Sequence, residues 1–294
     1  MSIGNGVMET YGEVPAAPKS WLLAAADREG DVVAALDSAA AAVIFDLESS
    51  VTADRKAVAR DLLAGLPDRS GRQQRWLRVN AMDTEFYGAD LACAEELDLD
   101  GIVLPKVEHG AEVARAAGDL VEAGWRIHVI AAETPASLFD LGTFAGSTPL
   151  LAAISWGVDD LSAALGASSK FDADGELGHV YRLAQSLTLA AARAAGVQPI
   201  DCVLRDVDDL DRLRREAEAA RRMGFEGKLA IHPAQVDIIN QAFTPTADEI
   251  ADARAIVAAF QATPDAGLHT LRGRMVDRAR LLQARRVLDR AGVC

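Results

Sequence analysis

The chain has 294 residues, half of them hydrophobic and a quarter charged, with three cysteines and a formal net charge of −14. That balance is a soluble globular one, and the acidity argues against the basic footprint of a nucleic-acid-binding protein. No apolar run approaches the ~20 residues of a membrane span, the first residues lack the basic start and apolar stretch of a signal peptide, and Cys93, Cys202 and Cys294 are too dispersed for a disulfide framework or a structural zinc site. A reducing cytoplasm is the expected setting.

In chain order, residues 1–18 read as a disordered lead. Eight short apolar runs follow: Trp21 to Ala26, Ala41 to Glu48, Trp76 to Asn80, Gly101 to Val107, Arg126 to Glu133, Leu150 to Gly157, Pro199 to Leu204 and Leu229 to Pro233. Each is apolar on both faces, as parallel strands covered by helices are. Helical periodicity fills the gaps, most clearly over Ala53 to Leu66, Ala111 to Ala123, Val180 to Ala195 and Asp208 to Met223. Eight such units fit a TIM (β/α)8 barrel over residues 19–245 better than an open doubly wound sheet. The open sheet predicts a glycine-rich loop after the first strand, and Ala26-Asp27-Arg28-Glu29-Gly30 is not one. Residues 246–294 then form a C-terminal helical extension. Its first helix, Thr246 to Ala262, opens on a Thr-Ala-Asp-Glu capping signal, and Arg278 to Arg290 is its second.

In this fold the active site lies at the C-terminal ends of the strands. The polar residues there are Asp46 and Glu48, Arg78 and Asn80, Lys106, Glu133, the pair Asp159 and Asp160, and His232. A carboxylate ending a buried strand must be paired or metal-bound to stay charged. Glu133 could therefore salt-bridge Arg78 or Lys106, and Asp160 could cap a helix. Taken together on consecutive strands, the two suit a hard divalent cation with open positions for water and substrate. Without His or Cys nearby, Mg2+ is favoured over Zn2+. Arg78 in a short buried strand needs an anion, either a substrate carboxylate or a structural partner such as Glu48 or Glu133. His232 reads as a structural hydrogen-bonder. Lys106 could be a Schiff-base lysine, but the acidic pair makes a metal-dependent mechanism more economical.

The motifs VIFDLE (Val43 to Glu48), LRVN (Leu77 to Asn80), LPK (Leu104 to Lys106), ET (Glu133, Thr134), WGVDDL (Trp156 to Leu161), GFEGKLAIHPAQV (Gly224 to Val236) and GRMVD (Gly273 to Asp277) occur in this order. Their order and spacing resemble the HpcH/HpaI aldolase and citrate lyase beta-subunit family, in its citrate-lyase-beta-like branch, from about Ser20 to Leu288. The resemblance implies a TIM barrel that cleaves a carbon–carbon bond in a CoA-type thioester, with Mg2+ held by Glu133 and Asp160. It implies that Arg78 contacts the substrate, with Asp46, Glu48 and Lys106 beside it, and that Arg28 contacts CoA. Asp277 is implied as the acid/base, reaching a neighbouring subunit's site in a homotrimer or hexamer. The expected reaction is a retro-Claisen (aldol-type) cleavage of a 3-hydroxyacyl-CoA such as malyl-CoA or citramalyl-CoA, giving a 2-oxo acid. A citrate lyase beta subunit acting on an acyl-carrier-protein thioester and a non-catalytic homologue are the alternatives. Ser49 stands where the family usually carries a carboxylate, and Ser137 where it usually carries a glycine. The Pro-Gly or Pro-Ala turn near CoA survives only as Asp27-Arg28, and the proline expected after Asp277 is absent.

Overall fold

A computed structural model describes residues 17–69, 71–264 and 266–293. The expected lead at residues 1–16 and Cys294 lie outside the described residues. The described chain forms two compact units, one running from Pro18 to Phe243 and one beginning at Thr244.

The first unit is a closed barrel of eight parallel strands, each bonded to its sequence neighbours and the last to the first. They are β1 (Ser20–Ala25), β2 (Ala42–Asp46), β3 (Gln74–Arg78), β4 (Gly101–Leu104), β5 (Arg126–Ala131), β6 (Leu151–Trp156), β7 (Gln198–Asp201) and β8 (Gly227–Ala230). Each overlaps one apolar run of the sequence, but β7 and β8 begin and end earlier than expected, and β8 stops at Ala230, so that His232 lies beyond the strand. Both faces are buried, as period-free apolar runs require. Trp21, Ile44, Trp76, Ile130, Ala153 and Leu229 fill the barrel interior. The outward faces pack under the helices, where Phe45, Leu77, Ile102, Val129 and Ala230 are buried. Pro18, expected in the lead, belongs instead to the barrel: it is buried, and its carbonyl accepts from Trp21 Nε1 (3.1 Å) and Gln198 Nε2 (2.6 Å). No helix among the described residues is long and apolar enough to cross a membrane.

One ion pair is fully buried in the barrel wall. Lys228 and Asp201, neighbours in the β7–β8 register, meet at 2.6 Å. Trp156 Nε1 and Gln185 Nε2 satisfy the other oxygen of Asp201 at 3.0 and 2.9 Å. A fully buried ion pair is tolerated where its remaining hydrogen-bonding groups are satisfied in this way.

The second unit contains the helices Ala247–Ala262 and Arg278–Ala291. Thr246 and Glu249 close a reciprocal capping box on the first of them. Between the helices runs a hairpin that periodicity did not reveal, β9 (Leu268–Leu271) and β10 (Arg274–Asp277). Its two-residue turn, Arg272-Gly273, has φ of +49° and +77°, the positive pair that a primed hairpin turn needs. Arginine gives no sequence signal for that conformation. Ile256, Phe260, Val276, Ala284 and Leu288 form the core of this unit.

Candidate active site

The strand ends of the barrel unit carry the polar residues singled out in the sequence. Asp46 ends β2 and stands in register with Arg78, the end of β3. Arg78 Nε and Nη2 each donate to one oxygen of Asp46 at 2.6 Å, a forked pair. The amides of Glu48 (2.8 Å) and Ser50 (3.1 Å) complete the Asp46 carboxylate. Burial works to raise the Asp46 carboxyl, but the charge and hydrogen bonds of Arg78 hold it below the ordinary range. The principal partner of Arg78 is therefore Asp46, not Glu48 or Glu133 as the sequence suggested. Glu48 is a second and looser partner at 3.4 Å from Nη1, and Ser49 Oγ accepts from Nη2 at 2.6 Å.

Glu48 also accepts from Lys106 Nζ at 2.7 Å. Burial alone would favour a neutral lysine, but the contact with Glu48 raises the Lys106 pKa instead. An ammonium held charged is a poor Schiff-base nucleophile, so that reading of Lys106 falls. The backbone of Lys106 has a different role. It adopts φ +55°, and its amide donates to Glu133 Oε2 at 2.5 Å. Ala132, immediately before Glu133, is also left-handed at φ +51°. A non-glycine residue in this region costs energy and persists only where its surroundings enforce it. Two such residues converge on one carboxylate. Gly157, at the end of β6, gives Glu133 its room: a Cβ there would lie 2.5 Å from Glu133 Cγ.

Glu133 is buried, and among the described residues no arginine or lysine side chain takes its carboxylate in an ion pair. Burial, and then the nearby charge of Asp160, push its carboxyl up to about 8. Asp160 lies in the first turn of the helix Val158–Ala164, whose N-cap is Gly157, so the helix-cap reading of Asp160 does not hold. Its neighbour Asp159 is fully engaged, accepting from Lys170 Nζ and from Arg205 Nε (2.6 Å), and is held below the ordinary carboxylate range despite its burial. Among the described residues the one cation in ion-pair reach of Asp160 is the distant ammonium of Lys106, at 3.9 Å. Two carboxylates lacking a full counter-charge, one of them resisting ionisation, fit a bound cation. Among the described residues no group of three or more His, Cys, Asp or Glu could hold a metal. The pair would therefore supply two oxygens and leave the rest of the coordination sphere to water and substrate, which suits Mg2+.

A cavity of about 600 Å3 opens over these residues and is lined by Asp46, Ser49, Arg78, Glu133, Asp160 and Arg205 among others. Arg28 and His232 also line it, both exposed. His232 Nδ1 accepts from the Ala234 amide at 3.2 Å, in keeping with a structural role. Glu48 contacts the cavity-lining Arg78, and the Lys106 amide bonds the cavity-lining Glu133. Asn80 turns away: its amide and side chain donate to buried Asp90 at 2.8 and 2.6 Å. Asp277 belongs to the second unit, where it is exposed and caps the helix Arg278–Ala291 by accepting from the Arg280 amide at 2.9 Å. Sequence reading missed Lys170 and Arg205. Neither ends a strand, and only folding brings them to Asp159.

A closed parallel barrel with an acidic pair, a forked arginine and a cavity at its strand ends defines a class, and the chain belongs to the HpcH/HpaI aldolase/citrate lyase family, whose model matches residues 25–233. A second model, for the C–C bond lyase of the TIM-barrel fold, matches residues 183–294. Among relatives, a (3S)-malyl-CoA thioesterase of Cereibacter sphaeroides is 36% identical, with 86% of this chain and 87% of that protein covered. A citrate lyase subunit beta-like protein of Mycobacterium tuberculosis is 33% identical over 94% of this chain and 97% of its own length. The solved structure of CitE from M. tuberculosis with magnesium, acetoacetate and coenzyme A is 32% identical, with a TM-score of 0.80, 95% of this chain and 99% of that one being covered.

Proposed function

We propose that this chain is a Mg2+-dependent carbon–carbon lyase that cleaves a 3-hydroxyacyl-CoA thioester of the malyl-CoA or citramalyl-CoA type into a 2-oxo acid and an acyl-CoA. One observation carries the reading: Glu133 is buried beside Asp160 with its carboxyl pushed up to about 8, while the nearby cations are committed elsewhere. The family and its magnesium- and CoA-bound member support the same chemistry. A malyl-CoA/beta-methylmalyl-CoA lyase of C. sphaeroides, 31% identical over 86% of this chain, supports the substrate type.

Glu133 and Asp160 would hold the Mg2+. Bound there, the ion would supply Lewis-acid polarisation of the substrate oxygens. The bond between the hydroxyl-bearing carbon and the carbon next to the thioester breaks. The hydroxyl passes its proton to solvent and becomes the keto group of glyoxylate or pyruvate, and the bonding electrons pass to the thioester as an enolate, whose carbon takes up one proton in return. Arg78, locked in orientation by Asp46, is placed to donate to that developing charge; a preorganised donor needs no reorganisation at the moment of reaction. Asp46 and Glu48 set Arg78 and Lys106, and Arg28 at the cavity rim is the candidate contact for CoA. Asp277, on the exposed end of β10, is the candidate that protonates the enolate carbon, reaching the site of a neighbouring subunit in a homotrimer or hexamer. A cytoplasmic location suits such a substrate.

A panel of CoA thioesters assayed with and without Mg2+, scored for released 2-oxo acid, tests the reading. Cleavage that requires Mg2+ supports it, and no 2-oxo acid from any thioester sinks it. Identity to a malyl-CoA thioesterase favours a second reading, hydrolysis of the thioester itself. The same panel separates the two, because hydrolysis releases free CoA and leaves the hydroxy acid whole. A citrate lyase beta subunit would turn over only the acyl-carrier-protein thioester.

A further inference from the structure

The turn after β2 presents Glu48 and Ser49 to the site, and one helix behind it holds that turn by two routes. Lys56, the first residue of the helix Lys56–Leu63, is buried, and its Nζ donates to the carbonyls of Leu47 (2.6 Å) and Glu48 (2.7 Å). The ring of Phe86 lies 5.6 Å from the same nitrogen. Arg60, one turn further along the helix, bonds Asp90 at 2.7 Å. Asp90 accepts from Asn80 Nδ2 (2.6 Å), and that group also donates to the Leu47 carbonyl at 3.1 Å. Both routes therefore end on the main chain between Asp46 and Ser49.

Among the described residues Lys56 has no carboxylate in ion-pair contact. Burying an ammonium without an anionic partner is costly, and packing alone would be served as well by a methionine of similar length. What the charge supplies is a strong pull on two adjacent carbonyls. With those carbonyls drawn toward the helix, the side chains of Glu48 and Ser49 are left to meet Lys106 and Arg78. Strand register places Arg78 against Asp46 and holds most of the forked contact, while the Glu48 and Ser50 amides of the turn bond the same carboxylate.

We propose that Lys56 is a positioning residue of this site: its buried ammonium fixes the 47–49 turn from behind and so sets the edge formed by Glu48, Ser49 and Lys106. The inference rests on the lyase reading for its kinetic test. With Arg78 still locked by Asp46, the effect falls on substrate binding more than on the bond-breaking step. Lys56→Met is expected to raise KM for the best thioester of the panel by about tenfold or more, with kcat within about threefold of wild type. Lys56→Arg, which keeps charge and donors, is expected to bring KM most of the way back. Circular dichroism at the assay temperature establishes that both variants are folded. If Lys56→Met does not fold, Lys56→Gln, which keeps one donor, is read in the same way. A lower melting temperature with KM and kcat both unchanged would overturn the proposal, leaving Lys56 as a stabiliser only. A fall in kcat at constant KM would also overturn it. Calorimetry with pyruvate and Mg2+ repeats the comparison without turnover: weaker binding to Lys56→Met than to wild type supports the proposal, and equal binding counts against it. Failure of the lyase reading shows differently, as a wild-type chain that releases no 2-oxo acid from any thioester.

Discussion

At the ends of β2, β3 and β4 every charge has an opposite partner. Asp46 is forked by Arg78, and Glu48 is shared between Arg78 and Lys106. At the ends of β5 and β6 the balance fails. Glu133 has a backbone amide and a resisting proton, and Asp160 has a lysine at 3.9 Å. The first half of the mouth is finished without a ligand, so its arginine and lysine are held still for whatever substrate arrives. The second half is left short of positive charge. On the proposed reading the difference separates preorganisation from binding: one side would orient the substrate and the other would acquire a cation.

Removing the deficit should have the largest effect. Glu133→Ala or Asp160→Ala is expected to lower Mg2+-dependent cleavage by about a thousandfold or more, with Mg2+ binding lost in calorimetry and the fold retained by circular dichroism. Activity persisting in both variants would show that neither carboxylate holds the metal. Loosening the finished side comes next. Arg78→Lys keeps the charge but not the fork, and kcat/KM is expected to drop by about a hundredfold.

The pH dependence follows from the Glu133 carboxyl at about 8. Below that value a proton competes with Mg2+ for the same oxygens. Apparent Mg2+ affinity should therefore rise with pH, by up to about tenfold per unit, and level off above about 8. In the metal-free protein the sign is the reverse. A carboxyl raised above its unfolded value contributes stability at low pH that is lost as pH rises through about 8. A flat Mg2+ affinity between pH 6 and 8 would mean that Glu133 is not the ligand. Gly157→Ala, which drives a methyl into Glu133, should weaken Mg2+ binding by about tenfold. The smallest effect is expected for Ser49→Ala, which removes one of several partners of Arg78 and should change kcat/KM by only a few-fold.

Much of this was legible before folding. Eight two-faced apolar runs sufficed for the barrel, because parallel strands covered by helices leave little polar alternation to misread. Lying near the end of a run sufficed to place Asp46, Arg78 and Glu133 at the barrel mouth, because that is where the strands finish. Choosing between partners did not follow. Arg78 meets Asp46 because β2 and β3 pair with those residues in register, and register is not written in either strand alone. Of the adjacent acids Asp159 and Asp160, the one left for a ligand is decided by Lys170 and Arg205, contributed from later loops. The β9–β10 hairpin stayed hidden because its turn uses Arg272 where asparagine would have announced it.

The two left-handed residues beside Glu133, Lys106 and Ala132, have a consequence for how this enzyme can change over evolutionary time. Each holds backbone strain of about 1–3 kcal/mol, and a glycine at either position would relieve most of it. A lineage selected for heat tolerance would find two easy gains there. Both sit on the scaffold that aims Glu133, however, so each gain would loosen the carboxylate that the site most needs to keep still. At these two peptide units durability and turnover would therefore pull in opposite directions.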